Sequence, residues 1–128
     1  LHVLLVEDNE INQEIAKELL LMEGASVDVA DNGEQALDIF ARSEEGYYQL
    51  VLMDIQMPVM DGYTATAALR SLRRDDAKTA IILAMTANVF SDDVIKAEAS
   101  GMNGHISKPF DPDRLYAMIA ASCHRKRG

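Results

Sequence analysis

The segment Leu50-Val51-Leu52-Met53-Asp54 is an apolar run that ends directly on a carboxylate. Four consecutive apolar side chains indicate a strand that is covered on both faces, because a strand with one face in water alternates apolar and polar residues. Strands of this kind are typical of parallel sheets with helices on both sides. In such sheets ligands bind beyond the carboxyl ends of the strands, so the position of Asp54 predicts a functional residue as well as a fold.

Four more strand-like runs, separated by helical patterns, extend this arrangement over the whole chain. They cover residues 2–6, 25–30, 80–85 and 104–107. Alternating strands and helices predict an α/β domain with a five-stranded parallel sheet and five helices. The runs at 25–30 and 104–107 are short or interrupted by polar residues, which is typical of edge strands. We therefore expect the doubly wound, flavodoxin-like strand order 2-1-3-4-5.

Apolar residues spaced by threes and fours predict the helices, and capping residues predict where they begin. Asn32 with Gln35 resembles a capping pair that opens the second helix. A fourth helix over residues 91–100 has the weakest apolar stripe, so we expect it to be the least firmly packed. The first helix follows Asn9 as its cap, and its apolar stripe is expected to face inward: Ile11, Ile15, Leu19 and Met22.

The composition narrows the class of protein. The 128 residues suffice for one ordinary domain, and 21 Asp and Glu against 12 Lys and Arg give a net charge of -9. This acidic balance disfavours nucleic acid as a partner and favours a site for cations. The single Cys123 excludes an internal disulfide, and no apolar run reaches the roughly 20 residues of a membrane span. Because the sequence opens on Leu1 instead of Met, we expect a cytoplasmic module of a longer protein.

Chemically reactive side chains follow the predicted strands. Glu7 and Asp8 follow the first strand and Asp54 ends the third; Thr86 and Lys108 follow the fourth and fifth. Three neighbouring carboxylates repel one another unless a cation compensates them, and Mg²⁺ binds carboxylates together with phosphate oxygens. Carboxylates, a metal ion, an ammonium and a hydroxyl are the components of a phosphoryl-transfer site. Asp54 is the best-placed acceptor in this set, since a carboxylate can itself act as the nucleophile.

Four motifs occur in order along the chain: Val6-Glu7-Asp8-Asn9, Leu-Met-Asp-Ile-Gln-Met-Pro-Val-Met-Asp-Gly at 52–62, Met85-Thr86-Ala87 and Lys108-Pro109-Phe110. Together they resemble the receiver domain, or response-regulator domain, of two-component phosphorelays. The Asp-Asn-x-x-Asn-Gln run at 8–13 and the run at 55–62 are most similar to receivers attached to hybrid sensor histidine kinases. The receiver is expected to occupy residues 1–124, with a basic tail or the start of a linker at 125–128.

The resemblance implies a role for each matching acid. Asp54 would accept a phosphoryl group from a phosphohistidine. Mg²⁺ or Mn²⁺ would be held by Glu7, Asp8, Asp54 and the backbone carbonyl of Gln56. The domain would in this way catalyse its own phosphorylation and dephosphorylation, and a hybrid parent protein would be a kinase.

The resemblance also implies a conformational switch. Lys108 would bind the phosphoryl oxygens, and Thr86 would move toward them. Pro109 would follow a cis peptide bond that aims Lys108. Gln56 and Asn88 occupy positions at which the family varies the rate of dephosphorylation.

One position departs from the family pattern. His105 stands in the last strand, where receivers usually carry a Phe or Tyr that couples to the hydroxyl residue. An imidazole can swing in a similar way, which makes His105 a candidate switch residue. The alternative is a partly exposed histidine on an edge strand, with no part in the switch.

The implied partners are a histidine kinase domain, a His-containing phosphotransfer protein, or both. The domain itself is expected to contact neither nucleic acid nor membrane, although a parent sensor kinase can be membrane-anchored. For Ile11 a docking role competes with its place on the apolar stripe. The predicted docking surface combines the start of the first helix with the loop after the last strand: Asn9, Ile11, Asn12, Ile15, Pro109 and Phe110.

Other classes fit the sequence less well. A nucleotide-binding enzyme needs a glycine-rich phosphate loop after the first strand, where this chain has acids. An aspartate-nucleophile phosphatase typically carries a second acid two residues after the nucleophile, where Gln56 stands. A phosphate-independent interaction module would have lost an acid or Lys108. A stand-alone or output-coupled response regulator remains the alternative to a relay receiver.

Overall fold

A five-stranded sheet, in which all neighbouring strands run parallel, forms the centre of the computed structural model. The structure describes residues 2–55, 60–86, 99–107, 113, 115–117 and 120, with only the backbone described for Thr86 and Ser107. The order is β2-β1-β3-β4-β5, which confirms the predicted doubly wound topology. The strands are β1 (His2–Val6), β2 (Ser26–Ala30), β3 (Leu50–Asp54), β4 (Ile81–Thr86) and β5 (Gly104–Ser107).

The burial of the strands follows their place in the sheet. Every residue of the central strand β3 is buried, and so are the last four residues of β1. Along β2 exposed and half-buried residues alternate until Ala30, as expected for an edge strand. Since Val6 lies opposite Met53 in the β1–β3 register, both strands end at the same edge of the sheet.

Three helices begin at a capping side chain that accepts a hydrogen bond from a backbone N–H three residues ahead. The bonds are Asn12 N–H to Asn9 at 3.1 Å, Gln35 N–H to Asn32 at 2.8 Å and Thr64 N–H to Asp61 at 2.8 Å. The helices are α1 (Glu10–Met22), α2 (Gly33–Arg42) and α3 (Gly62–Arg70), and a single turn, α4 (Asp76–Thr79), follows them.

The two predicted helices of the second half lie mostly outside the described residues. Residues 99–100 are helical, as are the described residues between 113 and 120, among which Leu115 is fully buried. Residues 91–98 of the predicted fourth helix lie outside the described residues. Within the described part of the chain, no helix has the length and apolar character needed to cross a bilayer.

The buried face of α1 differs from the prediction. Ala16 and Leu20 are fully buried, whereas Ile11 is 71% exposed and Met22 is 79% exposed. Of the four residues predicted to face inward, only Leu19 packs against the core, and it is half-buried. Successive helical residues differ by about 100° in direction, so the two apolar stripes are neighbours on the helix. Periodicity alone does not decide which of them packs on the sheet, and small Ala16 allows the closer approach.

Helices cover both faces of the sheet. On one face, α2 and α3 pack Ala36, Phe40, Ala65 and Leu69 against the strands. On the other face, α1 contributes Ala16 and Leu20, and Leu115 packs in the same cluster. These two layers bury the sheet and leave its edges for the loops.

Arg70, the last residue of α3, connects the segment before β5 to the start of β4 through hydrogen bonds. Its guanidinium donates to the Gly101 carbonyl at 3.0 and 2.9 Å and to the Ala80 carbonyl at 2.7 Å. It also donates to the Asn103 side chain at 2.8 Å, which in turn accepts from the Ile82 N–H. Burial lowers the pKa of Arg70, but the carbonyl oxygens around it satisfy its donors.

A buried ion pair lies at the amino edge of the sheet, opposite the carboxyl ends of the strands. Arg74 donates to both carboxylate oxygens of Asp76, at 2.6 and 2.8 Å, and lies over the Phe40 ring at 5.0 Å. It also donates to the Phe40 and Ser43 carbonyls at the end of α2. Burial raises the pKa of Asp76, but hydrogen bonds from Arg74 and the Gly46 N–H, with the charge of Arg74, outweigh burial and leave the pKa below its ordinary value.

Replacement of this acid should destabilise the protein in a pH-dependent way. A carboxyl with a lowered pKa stabilises the fold above its unfolded-state pKa, and this stability is lost as the pH falls through the folded-state value. Asp76→Asn is therefore expected to cost about 3 kcal/mol of unfolding free energy at pH 7. The difference from the wild type should begin to shrink as the pH falls below the ordinary value of 3.8, and it should shrink further toward the lower folded-state value. Urea unfolding between pH 7 and pH 3 measures it.

Asp38→Asn is the matched control, because Asp38 pairs with Arg42 at 3.1 Å on the surface, with side chains 58% and 80% exposed. It should cost less than about 0.5 kcal/mol at every pH. An Asp76→Asn cost that does not change with pH would contradict the assignment of the stability to the ionised carboxyl.

Candidate functional site

Three carboxylates converge at the carboxyl edge of the sheet. Glu7 and Asp8 follow β1 directly, and Asp54 is the last residue of the neighbouring strand β3. One ligand oxygen from each of the three lies within 4.8 Å of the other two. Glu7 is 1% exposed and Asp54 is 5% exposed, whereas Asp8 is exposed. The predicted convergence of these acids is therefore seen in the structure.

This cluster has the chemistry of a divalent-cation site. Buried carboxylates are costly unless they are paired or bind a metal ion, and adjacent ones add mutual repulsion. Six oxygens around one Mg²⁺ at about 2.1 Å lie roughly 3–4 Å from one another. Ligand atoms already within 4.8 Å reach that spacing by small side-chain movements. Hard oxygen donors fit Mg²⁺, which usually binds one or two carboxylates directly and completes its shell with water or phosphate oxygens.

The first turn of α1 holds the Glu7 carboxylate. Its Oε1 accepts from the backbone N–H of Asn9 at 3.3 Å and from the Nδ2 amide of Asn12 at 3.2 Å. The Glu7 N–H donates to the Ala30 carbonyl at 3.1 Å. Sequence reasoning placed Asn12 on a docking surface and missed this contact.

Gly62 determines how close the chain after Asp54 can approach α3. A Cβ atom at Gly62 would lie 2.4 Å from the carbonyl oxygen of Asp54 and 2.9 Å from the Cα of Ile55. The Gly62 N–H donates to the Ile55 carbonyl at 3.0 Å, and the Ile55 N–H donates to the Met85 carbonyl at 3.2 Å. In the sequence Gly62 is only the last residue of the motif at 52–62, and this backbone approach is visible only in the structure.

The other predicted site residues are placed only in part. Thr86 is the last residue of β4 and lies opposite Ser107 of β5, so its backbone reaches the same edge. His105 lies on β5 opposite Ala84 and is half-buried, in accord with an edge-strand position. The remaining predicted residues lie outside the described ones: Gln56, Asn88, Lys108, Pro109 and Phe110.

The helical part of the predicted docking surface is largely exposed. Asn9 is exposed, Ile11 is 71% exposed and Ile15 is 46% exposed. Asn12 is half-buried, in agreement with its contact to Glu7. Apolar side chains therefore reach solvent beside the acidic cluster.

Known proteins similar to this chain include a histidine kinase, a transcription factor and a solved receiver domain. The family model described as the response regulator receiver domain matches residues 3–120. The chain is 38% identical over 119 residues to hybrid signal transduction histidine kinase I of Dictyostelium discoideum, and 42% identical over 119 residues to transcription factor SKN7 of Candida albicans. These alignments cover 91% and 93% of this chain but 7% and 20% of the relatives, so it spans a small part of their length.

A solved structure of the same fold carries a metal ion. It is the receiver domain of a sensor histidine kinase from Pseudomonas aeruginosa, with a magnesium ion coordinated in its active-site cleft. The two chains are 34% identical with a TM-score of 0.82, and the match covers 92% of this chain and 93% of that one.

A methyl group at Gly62 should disturb the acidic cluster more than the fold. Gly62→Ala places its Cβ against the Asp54 backbone. We therefore expect the free energy of unfolding to fall by about 1–3 kcal/mol and the Mg²⁺ affinity to weaken. The control is Gly24→Ala, where φ is +83° and no atom lies within 4 Å of the added Cβ. It should lower the melting temperature through backbone strain alone. Equal Mg²⁺ affinities of the two variants by calorimetric titration would refute the positional role of Gly62.

Proposed function

Because this chain belongs to the response regulator receiver domain family, we propose that Asp54 accepts a phosphoryl group from a phosphohistidine of a partner. The chain is a receiver domain of two-component phosphorelays, and the observation that supports the choice of acceptor is the acidic cluster itself. Asp54 ends the buried central strand, with two further acids beside it. In the transfer an Asp54 carboxylate oxygen attacks phosphorus, and the bond from phosphorus to the histidine nitrogen breaks.

We propose that Glu7, Asp8 and Asp54 bind Mg²⁺ together with the backbone carbonyl of Gln56. The bound ion supplies positive charge that offsets the carboxylates and the phosphoryl oxygens. The chain supplies position: Asp54 is held at the end of β3, and Glu7 is buried beside it.

Thr86 and Lys108 are proposed to respond to the new phosphoryl group. Transfer adds up to about two negative charges and three acceptor oxygens. The Lys108 ammonium would bind one of these oxygens, and the Thr86 hydroxyl would donate to another. His105, on the strand beside β4, is the candidate for transmitting this movement, and Gln56 and Asn88 for setting the rate of dephosphorylation.

The proposed partners carry the histidine: a histidine kinase domain, a His-containing phosphotransfer protein, or both. The start of α1 is the proposed docking surface, together with Pro109 and Phe110, because its isoleucines are exposed next to the cluster. An exposed apolar patch rimmed by polar residues is typical of a protein interface. Relatives include a hybrid kinase and a transcription factor, so both a relay receiver and an output-coupled regulator fit the family. A receiver that takes its phosphoryl group from a cytoplasmic kinase domain would itself lie in the cytoplasm.

Phosphorylation of Asp54 has a direct test. The wild type, incubated with Mg²⁺ and acetyl phosphate, should gain the mass of one phosphoryl group by intact mass spectrometry. Asp54→Asn should gain none, because the amide is not a nucleophile for phosphorus. Asp61→Asn is the control, since Asp61 is an exposed acid whose capping bond an asparagine also makes. An unmodified wild type, or a modified Asp54→Asn variant, would overturn the assignment.

The docking surface predicts a selective defect. Ile11→Ala should slow transfer from a phosphorylated histidine protein about tenfold, the effect of losing about 1.4 kcal/mol of interface contact. Its reaction with acetyl phosphate should be unchanged, because Ile11 is 71% exposed and is not one of the clustered acids. Met22→Ala serves as the control, since Met22 is 79% exposed at the far end of the same helix. If both variants transfer at the wild-type rate, the start of α1 is not the docking surface.

A further inference from the structure

Two amide side chains in the first turn of α1 point toward the acidic cluster and have no role in the proposed transfer. They belong to the Asp-Asn-x-x-Asn-Gln run at 8–13. Asn9 has a separate task, since it caps α1. The amides of Asn12 and Gln13 both contact Glu7, one at its carboxylate and one at its backbone carbonyl.

The Asn12 contact restrains the direction of the Glu7 carboxylate. Its Nδ2 donates to Oε1 at 3.2 Å, the same oxygen that accepts the Asn9 N–H at 3.3 Å. Two donors on one oxygen fix the rotation of the carboxylate plane, which otherwise turns easily about its last bond. An amide is suited to this position because it donates without adding charge, whereas an acid would repel Glu7 and a lysine would compete with the metal ion.

The Gln13 contact restrains the backbone from which Glu7 projects. Its Nε2 donates to the Glu7 carbonyl at 2.5 Å and to Asp31 Oδ1 at 2.9 Å. Asp31 is fixed in turn, because its N–H donates to the Gln35 side chain at 3.0 Å. Gln13 thereby links the loop after β1 to the start of α2 and limits the movement of Glu7.

We propose that Asn12 and Gln13 are positioning residues that raise the Mg²⁺ affinity of the receiver by holding Glu7 in its ligating orientation. This inference rests on the proposed metal site. Ligating carboxylates that are held by hydrogen bonds need less reordering on binding, and loss of such outer contacts weakens metal sites by about 10–100-fold. The expected loss for Asn12→Ala is about tenfold in Mg²⁺ affinity, since the Asn9 N–H still holds the same oxygen.

The experiment measures Mg²⁺ binding to the intact chain by calorimetric titration without any phosphodonor. Asn12→Ala removes the donor to the carboxylate, and Gln13→Met removes the donor to the carbonyl at similar side-chain volume. Alanine and methionine are good helix formers, so both variants should keep the fold, which melting temperatures check. Asn32→Ser is the matched control: serine caps α2 as asparagine does, and Asn32 belongs neither to the proposed docking surface nor to the contacts of Glu7 named above. It should bind Mg²⁺ like the wild type.

A second readout separates positioning from docking. The variants should need about tenfold more Mg²⁺ for half-maximal phosphorylation by acetyl phosphate but approach the wild-type rate at saturating Mg²⁺, because the acceptor is untouched. Unchanged Mg²⁺ affinity in both variants, with slower transfer only from a protein donor, would assign Asn12 to docking and overturn the inference. A loss of Mg²⁺ affinity that is accompanied by unfolding of the variants, as shown by their melting temperatures, would also overturn the inference. A wild type that binds no Mg²⁺ would instead refute the proposed metal site.

Discussion

Two carboxylates, Glu7 and Asp54, are buried side by side at the carboxyl edge of the sheet, and the arrangement around them depends on how that negative charge is compensated. Burial of like charges is unfavourable in an apolar protein interior. The β1–β3 register creates this juxtaposition, because it ends both strands at the same level. In the proposed function, a metal ion and then a phosphoryl group would compensate this unfavourable contact and make it a binding site. The fold thus carries the site as a consequence of its strand order.

The opposite edge shows a different treatment of a buried acid. Asp76 is also buried, but Arg74 compensates it within the chain and binds the end of α2 at the same time. Both charges of this ion pair belong to the chain itself. The lowered pKa of Asp76 therefore reflects a contribution to the stability of the fold. At the carboxyl edge the proposed compensation comes from exchangeable groups, so phosphorylation of Asp54 would change the local charge. A switch requires that difference, because a ligand shifts an equilibrium only through interactions that differ between its states.

The sequence predicted the strands closely because three of them are mainly continuous apolar runs and the other two, β2 and β5, are short runs between turn residues; β1 and β5 have the predicted bounds. It predicted the acidic cluster because strand ends in a doubly wound sheet meet at one edge. The single turn α4 was not predicted, since four residues are too few to show a helical period. The inward stripe of α1 was wrong, because Ala16 and Leu20 pack where Ile15 and Met22 were expected. The rotation of a helix about its axis depends on side-chain volumes at the interface, which periodicity does not measure.

That same rotation decides the roles of neighbouring residues at the start of α1. With Ala16 and Leu20 against the sheet, Asn12 lies at the border of the buried face and its amide reaches Glu7. Ile11, about 100° away, then lies in solvent beside the acidic cluster. Had the predicted stripe packed inward, Ile11 would be buried and Asn12 would lose its contact. One turn of helix therefore combines an inward amide that contacts Glu7 with an outward apolar side chain, and these serve the proposed metal site and the proposed docking surface respectively.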